Sequence, residues 1–393
     1  MLGCGETPTP APPAKLEPVL TEAPKTPAKR TVPWGEGSQA SSLFSDGETL
    51  HLVWMETQPA SQKLRYSSLT DGSWSEATTV AGGPDLVVNF ADTPQIAKGG
   101  DGALYVSWPR KSGDDTYAYD VVLGRSIDEG QTWTELGSPH RDGTETEHGF
   151  VSLVPERTGV LAVWLDGRAM PDGPMSLRGA SISAQIGEDH LLDDRVCDCC
   201  GTDAASTVEG PVVVYRDRTV DEVRDIGVIR HEGLKWAVPS MVFPDRWKVA
   251  GCPVNGPRIL AKNRTVDVIW FTAEPEPAVK FASSPDGGRS FGRPMRFAGK
   301  DTLGRVDLVA DSKGSVVLTW MDQRNEKAII RASRFLRTGG ATKPIDIASL
   351  SPSRSSGFPR IAVVGEDLFV IWTEAGPPLS LEYERVPLSD LSE

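Results

Sequence analysis

The segment His51-Leu52-Val53-Trp54 is the first of seven short apolar stretches that each end in an aromatic residue. The others are residues 105–108, 161–164, 212–215, 266–270, 316–320 and 368–372. Their aromatic residues follow one another at intervals of 54, 56, 51, 55, 50 and 52 residues. A repeat of about fifty residues with short strands in each unit is typical of β-propeller blades. We therefore expect an all-β fold, a single β-propeller of four-stranded blades, with seven blades favoured and six as the alternative.

A second strand precedes the aromatic one in five of the units, at residues 94–97, 150–154, 257–260, 305–308 and 359–362. These strands are predicted to be innermost in their blades, with the aromatic-ending strands second. The seventh unit offers only one further strand, at residues 379–386. We expect residues 30–34 to supply its outermost strand and close the ring, since a closed ring leaves no long strand edge exposed.

Two octapeptides fall between the third and fourth predicted strands of units two and five. They are Ser126-Ile127-Asp128-Glu129-Gly130-Gln131-Thr132-Trp133 and Ser284-Pro285-Asp286-Gly287-Gly288-Arg289-Ser290-Phe291. Both fit the Asp-box, Ser-x-Asp-x-Gly-x-(Ser/Thr)-(Trp/Phe), in which the carboxylate accepts hydrogen bonds from turn amides and the glycine permits a positive φ. Residues 70–74 resemble a shortened copy. On these motifs, residues 35–388 resemble the sialidase-like Asp-box (BNR-repeat) β-propeller family, in which the boxes lie opposite the active face.

The resemblance implies glycoside hydrolysis only where the catalytic set is present, because a fold does not fix a function. Sialidases need three arginines, a tyrosine nucleophile backed by a glutamate, and an acidic residue. No Phe-Arg-Ile-Pro-like motif occurs between Ser41 and Trp54, where the first arginine is expected. An exo-acting glycosidase with an altered catalytic set is one hypothesis, with Asp166 and Asp217 as its candidate carboxylates. The alternative for both aspartates is a turn residue of the repeat.

Cysteines precede the innermost strands of neighbouring units. In a propeller, residues before the innermost strand and after the second strand share one face, here called the mouth. We expect this arrangement to bring together His148, Cys197, Cys199, Cys200 and Cys252. Thiolates suit Cu(I) and Zn(II), and imidazole is a further donor, so a copper or zinc site is the leading hypothesis. The alternative is an interaction scaffold with disulfides at its mouth, because an envelope protein lies in an oxidising compartment.

Three arginines, Arg258, Arg305 and Arg360, begin the innermost strands of units five, six and seven. Guanidinium groups at equivalent positions can bind the carboxylate or sulfate of a ligand in bidentate fashion. The alternative is ion pairing with the carboxylates that stand two residues beyond the aromatic positions. Those acids are Glu56, Asp166, Asp217, Asp322 and Glu374.

The N-terminus, Met1-Leu2-Gly3-Cys4-Gly5, resembles the end of a bacterial lipobox, and a Pro/Thr/Ala-rich stretch follows it. Residues 1–33 are therefore predicted to be a lipoprotein-type N-terminus and tether, lipidated at Cys4, with the propeller domain at residues 34–390. The resemblance implies a signal peptide ahead of Cys4, for which residues 1–3 are too short. It also implies a periplasmic or surface location in the cell envelope. The alternative is an unmodified cysteine in a disordered terminus.

Charge and hydropathy limit the partners. The net charge of −13, without a run of Lys or Arg, argues against nucleic-acid binding. No apolar run reaches 18 residues, so membrane attachment is expected only through a lipid. We expect a monomer with a small-molecule, metal or glycan ligand at the mouth.

Overall fold

The computed structural model describes residues 32–233 and 235–392. Seven antiparallel sheets follow one another along the chain as blades. Their strands, blade by blade, are β1 (Ser38–Ser45), β2 (Leu50–Gln58), β3 (Ser61–Thr70), β4 (Ser73–Trp74) and β5 (Thr78–Gly83); β6 (Gln95–Lys98), β7 (Leu104–Lys111), β8 (Tyr119–Ser126) and β9 (Thr134–Gly137); β10 (His148–Glu156), β11 (Gly159–Asp166), β12 (Ser176–Ile182) and β13 (His190–Asp193); β14 (Asp203–Thr207), β15 (Gly210–Arg216), β16 (Ile226–Glu232), β17 (Lys235–Trp236) and β18 (Ser240–Phe243); β19 (Arg258–Lys262), β20 (Thr265–Thr272), β21 (Ala278–Ser284) and β22 (Met295–Ala298); β23 (Thr302–Ala310), β24 (Val316–Arg324), β25 (Lys327–Phe335) and β26 (Ile345–Leu350); and β27 (Arg360–Val364), β28 (Asp367–Glu374) and β29 (Ser380–Pro387).

The prediction of seven blades is confirmed, and the six-blade alternative is wrong. Two short 3-10 helices, Arg354–Ser356 and Leu388–Leu391, flank the seventh blade. No helix in the described part of the chain is long and apolar enough to cross a membrane.

The seventh blade has three strands among the described residues. Of the stretch expected to complete it, residues 30 and 31 lie outside the described ranges. Trp34 donates its indole N–H to the carbonyl of Leu381 at 2.9 Å, and the Gly37 amide donates to the carbonyl of Leu379 at 2.8 Å. The chain before β1 therefore joins the first blade to the seventh through these two bonds.

The aromatic residues of the second strands form the contacts between blades. Trp54, Trp108, Trp164, Tyr215, Trp270 and Trp320 are all at most 2% exposed. Trp164, for example, packs with Tyr105 and Leu123 of the preceding blade. Burying so large a side chain contributes more than about 2 kcal/mol, which explains why the repeat retains an aromatic residue at this position.

Three aspartates, of which Asp92 and Asp307 are buried and Asp203 is half-buried, bond to the innermost strand of the next blade. Asp92 accepts a hydrogen bond from the Phe150 amide at 2.8 Å, and Asp203 accepts one from the Ile259 amide at 2.9 Å. Asp307 accepts one from the Ile361 amide at 3.1 Å. These bonds satisfy backbone donors around the axis that no strand within the same blade can reach.

The register of each blade defines the mouth. His148, which begins β10, pairs with Asp166, which ends β11. The two octapeptides lie at the other face, between β8 and β9 and between β21 and β22. In the first, Asp128 accepts from the Thr132 amide at 2.9 Å. The fold therefore places the cysteine motif and these turns on opposite faces.

Candidate metal centre at the mouth

The cysteine motif occupies the connection between β13 and β14. Cys197 is fixed there because its amide donates to the Arg216 carbonyl, at the end of β15, at 2.9 Å. Its Sγ lies 3.5 Å from that of Cys200 and 3.8 Å from that of Cys199. Cys197 and Cys200 are at most 1% exposed, and Cys199 is half-buried. The local spacing therefore produces a compact group of three sulfur atoms, called here the three-thiol site.

Hydrogen-bond donors surround these sulfur atoms. Arg224 Nη1 donates to the Cys197 Sγ at 3.2 Å, and the Asn255 amide donates to the Cys200 Sγ at 3.4 Å. Hydrogen bonds with Cys199 and Cys200, together with the nearby charge of Arg216, lower the pKa of the Cys197 thiol. The bond to Cys197 raises the pKa of Cys199, while burial raises that of Cys200 to about 12. The protein alone thus favours one thiolate, at Cys197.

All four described cysteines carry free thiols, so the structure contains none of the disulfides considered for them. Cys252 is exposed in the connection between β18 and β19. Its Sγ and ligand atoms of Cys199 and Asp198 lie within 4.8 Å of one another. Cys252 therefore meets the motif through Cys199, at the solvent side of the site. Cys4 lies outside the described residues.

His148 is separated from the cysteines. Among the described residues, its close potential ligands are His140, Asp120, Asp142 and Asp166. The rings of His148 and His140 stack in parallel, with centroids 3.8 Å apart and planes 4° apart. Parallel rings cannot both direct an in-plane lone pair at one ion, so the pair is a poor chelate. His140 lies on the connection before β10, outside the repeat, so no repeated pattern pointed to it.

The two candidate catalytic aspartates differ in their surroundings. Asp166 is fully buried and accepts from the indole of Trp164 at 2.9 Å and from Arg168 Nε at 2.7 Å. Burial opposes ionisation of Asp166, but the bond from Arg168 prevails and lowers its pKa. Burial raises the pKa of Asp217 to about 6. Asp166 therefore serves as the fixed partner of Arg168, which agrees with a structural role for this turn residue.

The three predicted arginines do not share one cavity. Arg258 and Arg360 line a cleft of about 470 Å³, whereas Arg305 lines a neighbouring cleft of about 370 Å³. Both volumes include the open solvent at the entrance of the cleft. Arg258 Nε pairs with Asp307 at 3.0 Å and with Asp203 at 3.4 Å. These acids lie on innermost strands and not, as expected for the ion-pair alternative, beyond the second strands.

Arg305 and Arg360 have other neighbours. Arg305 donates to the Gly357 carbonyl at 2.8 Å. Arg360 is 8% exposed, and its Nε has no hydrogen-bond partner among the described residues. Burial and the nearby charge of Arg258 lower the pKa of Arg360 to about 10. Arg360 is therefore the arginine of the three best placed to meet an anion in the cleft.

A tyrosine–glutamate pair near the cleft was also missed. Tyr119 donates its hydroxyl to Glu147 Oε1 at 2.6 Å. Burial raises the pKa of Glu147 to about 7 and that of Asp92, which lines the cleft, also to about 7. Tyr119 begins a third strand and Glu147 precedes an innermost one, so only the folded register reveals the pair.

Comparison with solved structures gives the fold of the chain. A protein of unknown function from Dyadobacter fermentans superposes with a TM-score of 0.51 at 14% identity, over 90% of this chain and 95% of that one. An α-L-arabinofuranosidase from Fusarium graminearum, solved with an iminosugar inhibitor, gives 0.50 at 12% identity, over 90% and 94%. The NanB sialidase of Streptococcus pneumoniae gives 0.47 at 11%, over 90% and 69%.

No protein-family model matches the chain, and no curated protein matches it. At identities of 14% and below, these likenesses concern the fold alone and leave the chemistry to this chain's own residues.

Proposed function

We propose that this propeller binds one soft metal ion, Cu(I) in preference to Zn(II), through Cys197, Cys199 and Cys200 at its mouth. The observation that carries the proposal is the grouping of three sulfur atoms, with Cys197 Sγ 3.5 and 3.8 Å from the other two. Metal–thiolate bonds of about 2.3 Å place the sulfur atoms around a shared ion roughly 4 Å apart. The three thiols therefore need only a small adjustment to share one ion.

The number of ligands favours copper over zinc. Thiolates bind both Cu(I) and Zn(II), but structural zinc sites are almost always four-coordinate and tetrahedral, so three thiols alone fall one ligand short of a closed zinc site. Cys252, the remaining cysteine of the described residues, groups with Cys199 and Asp198 and not with the buried pair of Cys197 and Cys200. A closed zinc site with four cysteine ligands would require the loop that carries Cys252 to move inward.

Neighbouring cations also suit a three-thiolate complex. Three thiolates and Cu(I) carry a net charge of −2, which is costly to bury without compensation. Arg224 donates directly to Cys197, and the buried Arg216 stacks on Trp247, with its guanidinium carbon 4.9 Å from the ring centroid. These two guanidinium groups supply positive charge beside the complex, although Arg224 shares its charge with Glu222 at 2.7 Å.

A competitive titration of the reduced full-length protein with Cu(I), under anaerobic conditions, tests the proposal. The expected result is one Cu(I) per chain, lost in Cys197→Ser and Cys200→Ser and unchanged in the control Cys4→Ser. Zn(II) should bind more weakly in the same assay. Equal Cu(I) binding by wild type and Cys197→Ser, with both proteins folded by circular dichroism, would contradict the three-thiol site.

We further propose that Cys4 carries a lipid and holds the propeller in the bacterial cell envelope, periplasmic or on the surface. The lipobox-like start and the Pro/Thr/Ala-rich residues that follow it support this proposal. Expression with a bacterial signal peptide should place the wild type in the membrane fraction and Cys4→Ser in the soluble fraction. Equal partitioning of the two proteins would exclude the anchor.

A second candidate function is exo-acting glycoside hydrolysis. Its support is the bonded pair of Tyr119 and Glu147, near a cleft lined by Asp92 and by Arg360, whose Nε has no hydrogen-bond partner in the described part of the chain. The arabinofuranosidase with a similar fold adds a second class of glycoside to sialosides. Turnover of fluorogenic sialosides or α-L-arabinofuranosides, abolished in Glu147→Gln, is the expected result. No turnover of either class by folded wild-type protein would reject this candidate.

A further inference from the structure

Cys199 belongs to two groups of potential metal ligands. One is the three-thiol site, and the other consists of Cys199, Asp198 and Cys252. We propose that Cys252 and Cys199 form an outer exchange site, through which a thiol-bound Cu(I) passes to and from Cys197 and Cys200. This inference rests on the proposed function and adds that the site exchanges copper with a donor or acceptor.

The burial of the four thiols follows the path of transfer. Cys252 is exposed, Cys199 is half-buried, and Cys197 and Cys200 are at most 1% exposed. A copper complex arriving from solvent can reach Cys252 first, whereas the inner pair is closed to it. Cys199 is the only cysteine common to both groups among the described residues. An ion held by Cys252 and Cys199 therefore needs to exchange one ligand, and not all of them, to move inward.

The loop that carries Cys252 is anchored to the three-thiol site. Three residues beyond Cys252, the Asn255 amide donates to Cys200 Sγ, and the Asn255 carbonyl accepts from Arg216 at 2.7 Å. The Asn255 side chain accepts from the Arg305 amide at 2.8 Å. These bonds hold the position of Cys252 beside Cys199, so their proximity is built into the packing of blades four and five.

Asp198 completes the outer group without competing for copper. It pairs with Arg218 at 3.3 Å and with Arg224 at 3.5 Å. A carboxylate oxygen is a hard donor that suits Cu(I) poorly. The two thiols are therefore the ligands of the outer site, and Asp198 connects it electrostatically to the arginine that donates to Cys197.

The transfer is a sequence of ligand exchanges with no change of oxidation state. The Cys252 thiol loses its proton and bonds to Cu(I) as one thiolate of the donor complex leaves and takes up a proton. Cys199 then replaces a second donor ligand in the same way. The Cys197 thiolate bonds to the ion as Cys252 leaves, and the proton that Cys200 gives up as it joins balances the proton that the Cys252 thiolate takes up. Copper remains Cu(I) throughout.

The test measures loading rate and equilibrium affinity separately. Anaerobic full-length protein is mixed with the Cu(I)–glutathione complex in a stopped-flow instrument, and the thiolate-to-copper absorption is followed. Cys252→Ser should load at least about tenfold more slowly, which corresponds to about 1.4 kcal/mol in the barrier. Its equilibrium affinity for Cu(I) should change by less than about threefold, because the inner thiols are intact.

Cys252→Met provides the matched variant, because a thioether is a soft donor that cannot form a disulfide. It should recover part of the rate that Cys252→Ser loses. A rate for Cys252→Ser equal to that of wild type, or a fall in affinity as large as the fall in rate, would overturn the exchange site while leaving the three-thiol site in place. Absence of Cu(I) binding by wild type would overturn both proposals.

Discussion

The Nη1 atom of Arg224 lies 3.2 Å from the Sγ of Cys197, and the side chain of this arginine is 3% exposed. The contact joins the β15–β16 connection to the cysteine motif that precedes β14. A buried cation bonded to sulfur stabilises thiolate over thiol, and a metal-bound thiolate keeps its negative charge. Arg224 is thus the residue outside the cysteines on which the proposed site should depend most.

Replacing Arg224 with Gln should weaken Cu(I) binding about ten- to a hundredfold, since hydrogen bonds to charged groups contribute about 1.5–3 kcal/mol. Arg218→Gln is the matched control, because Arg218 pairs with Asp198 and Glu222 and has no bond to a described cysteine. A competition titration against a chromogenic Cu(I) chelator measures both variants. Equal affinities for the two would show that Arg224 does not support the site.

The fold was predictable because its signal is repeated. Trp54 and its six counterparts occupy one buried position, and the interval between them fixes the size of a blade. The separation of Cys197, Cys199 and Cys200 in the chain similarly places three thiols on one short connection. In both cases spacing along the chain determines the geometry.

Contacts across blades were harder to predict. Position on the mouth does not give the direction of a side chain, so the sequence could not show that His148 stacks on His140. It likewise could not show that Arg258 pairs with Asp203 and Asp307, because those acids lie on the innermost strands of the two flanking blades. The pairs of Arg258 depend on the angle between blades, and the histidine stack depends on the path of the connection before β10; no residue pattern encodes either of them.

Asp307→Ala should strongly destabilise the propeller. Asp307 is 3% exposed, pairs with Arg258 and accepts from the Ile361 amide, so its removal leaves the half-buried Arg258 with Asp203 alone and the backbone donor without this partner. An unsatisfied buried donor costs about 1–3 kcal/mol, and the weakened ion pair adds to that loss. Urea unfolding measures the effect, and Asp346→Ala, which removes the 43% exposed partner of Arg324 and Arg331, should change stability little. Similar losses in both variants would contradict a central role for Asp307.

Stability should also depend on pH through Asp92. Burial raises its pKa to about 7 from 3.8, so the folded protein binds a proton between these values that the unfolded chain has released. The contribution of Asp92 is therefore fully present below about pH 4 and falls as the pH rises towards 7, by up to about 1.4 kcal/mol per unit. The free energy of unfolding of Asp92→Asn should lack this decline.

Because other groups titrate in the same range, the measured quantity is the difference between wild type and Asp92→Asn at pH 5 and pH 7. The substituted amide keeps an oxygen that can accept from the Phe150 amide, so the change removes the titration and retains the bond. A difference that stays constant between the two pH values would refute the assignment to Asp92.

The turn at Gly130 should tolerate no side chain. Gly130 has a φ of 84°, and an added Cβ would overlap the ring of Tyr66, which belongs to the preceding blade. Gly130→Ala should therefore incur both backbone strain of about 1–2 kcal/mol and overpacking of about 1–3 kcal/mol. Gly72, with a φ of 77° and no atom within 4 Å of the place a Cβ would take, would incur the strain alone. Thermal or urea unfolding of the two alanine variants should thus show the larger loss at Gly130. Equal losses would mean that the turn does not depend on its packing against Tyr66.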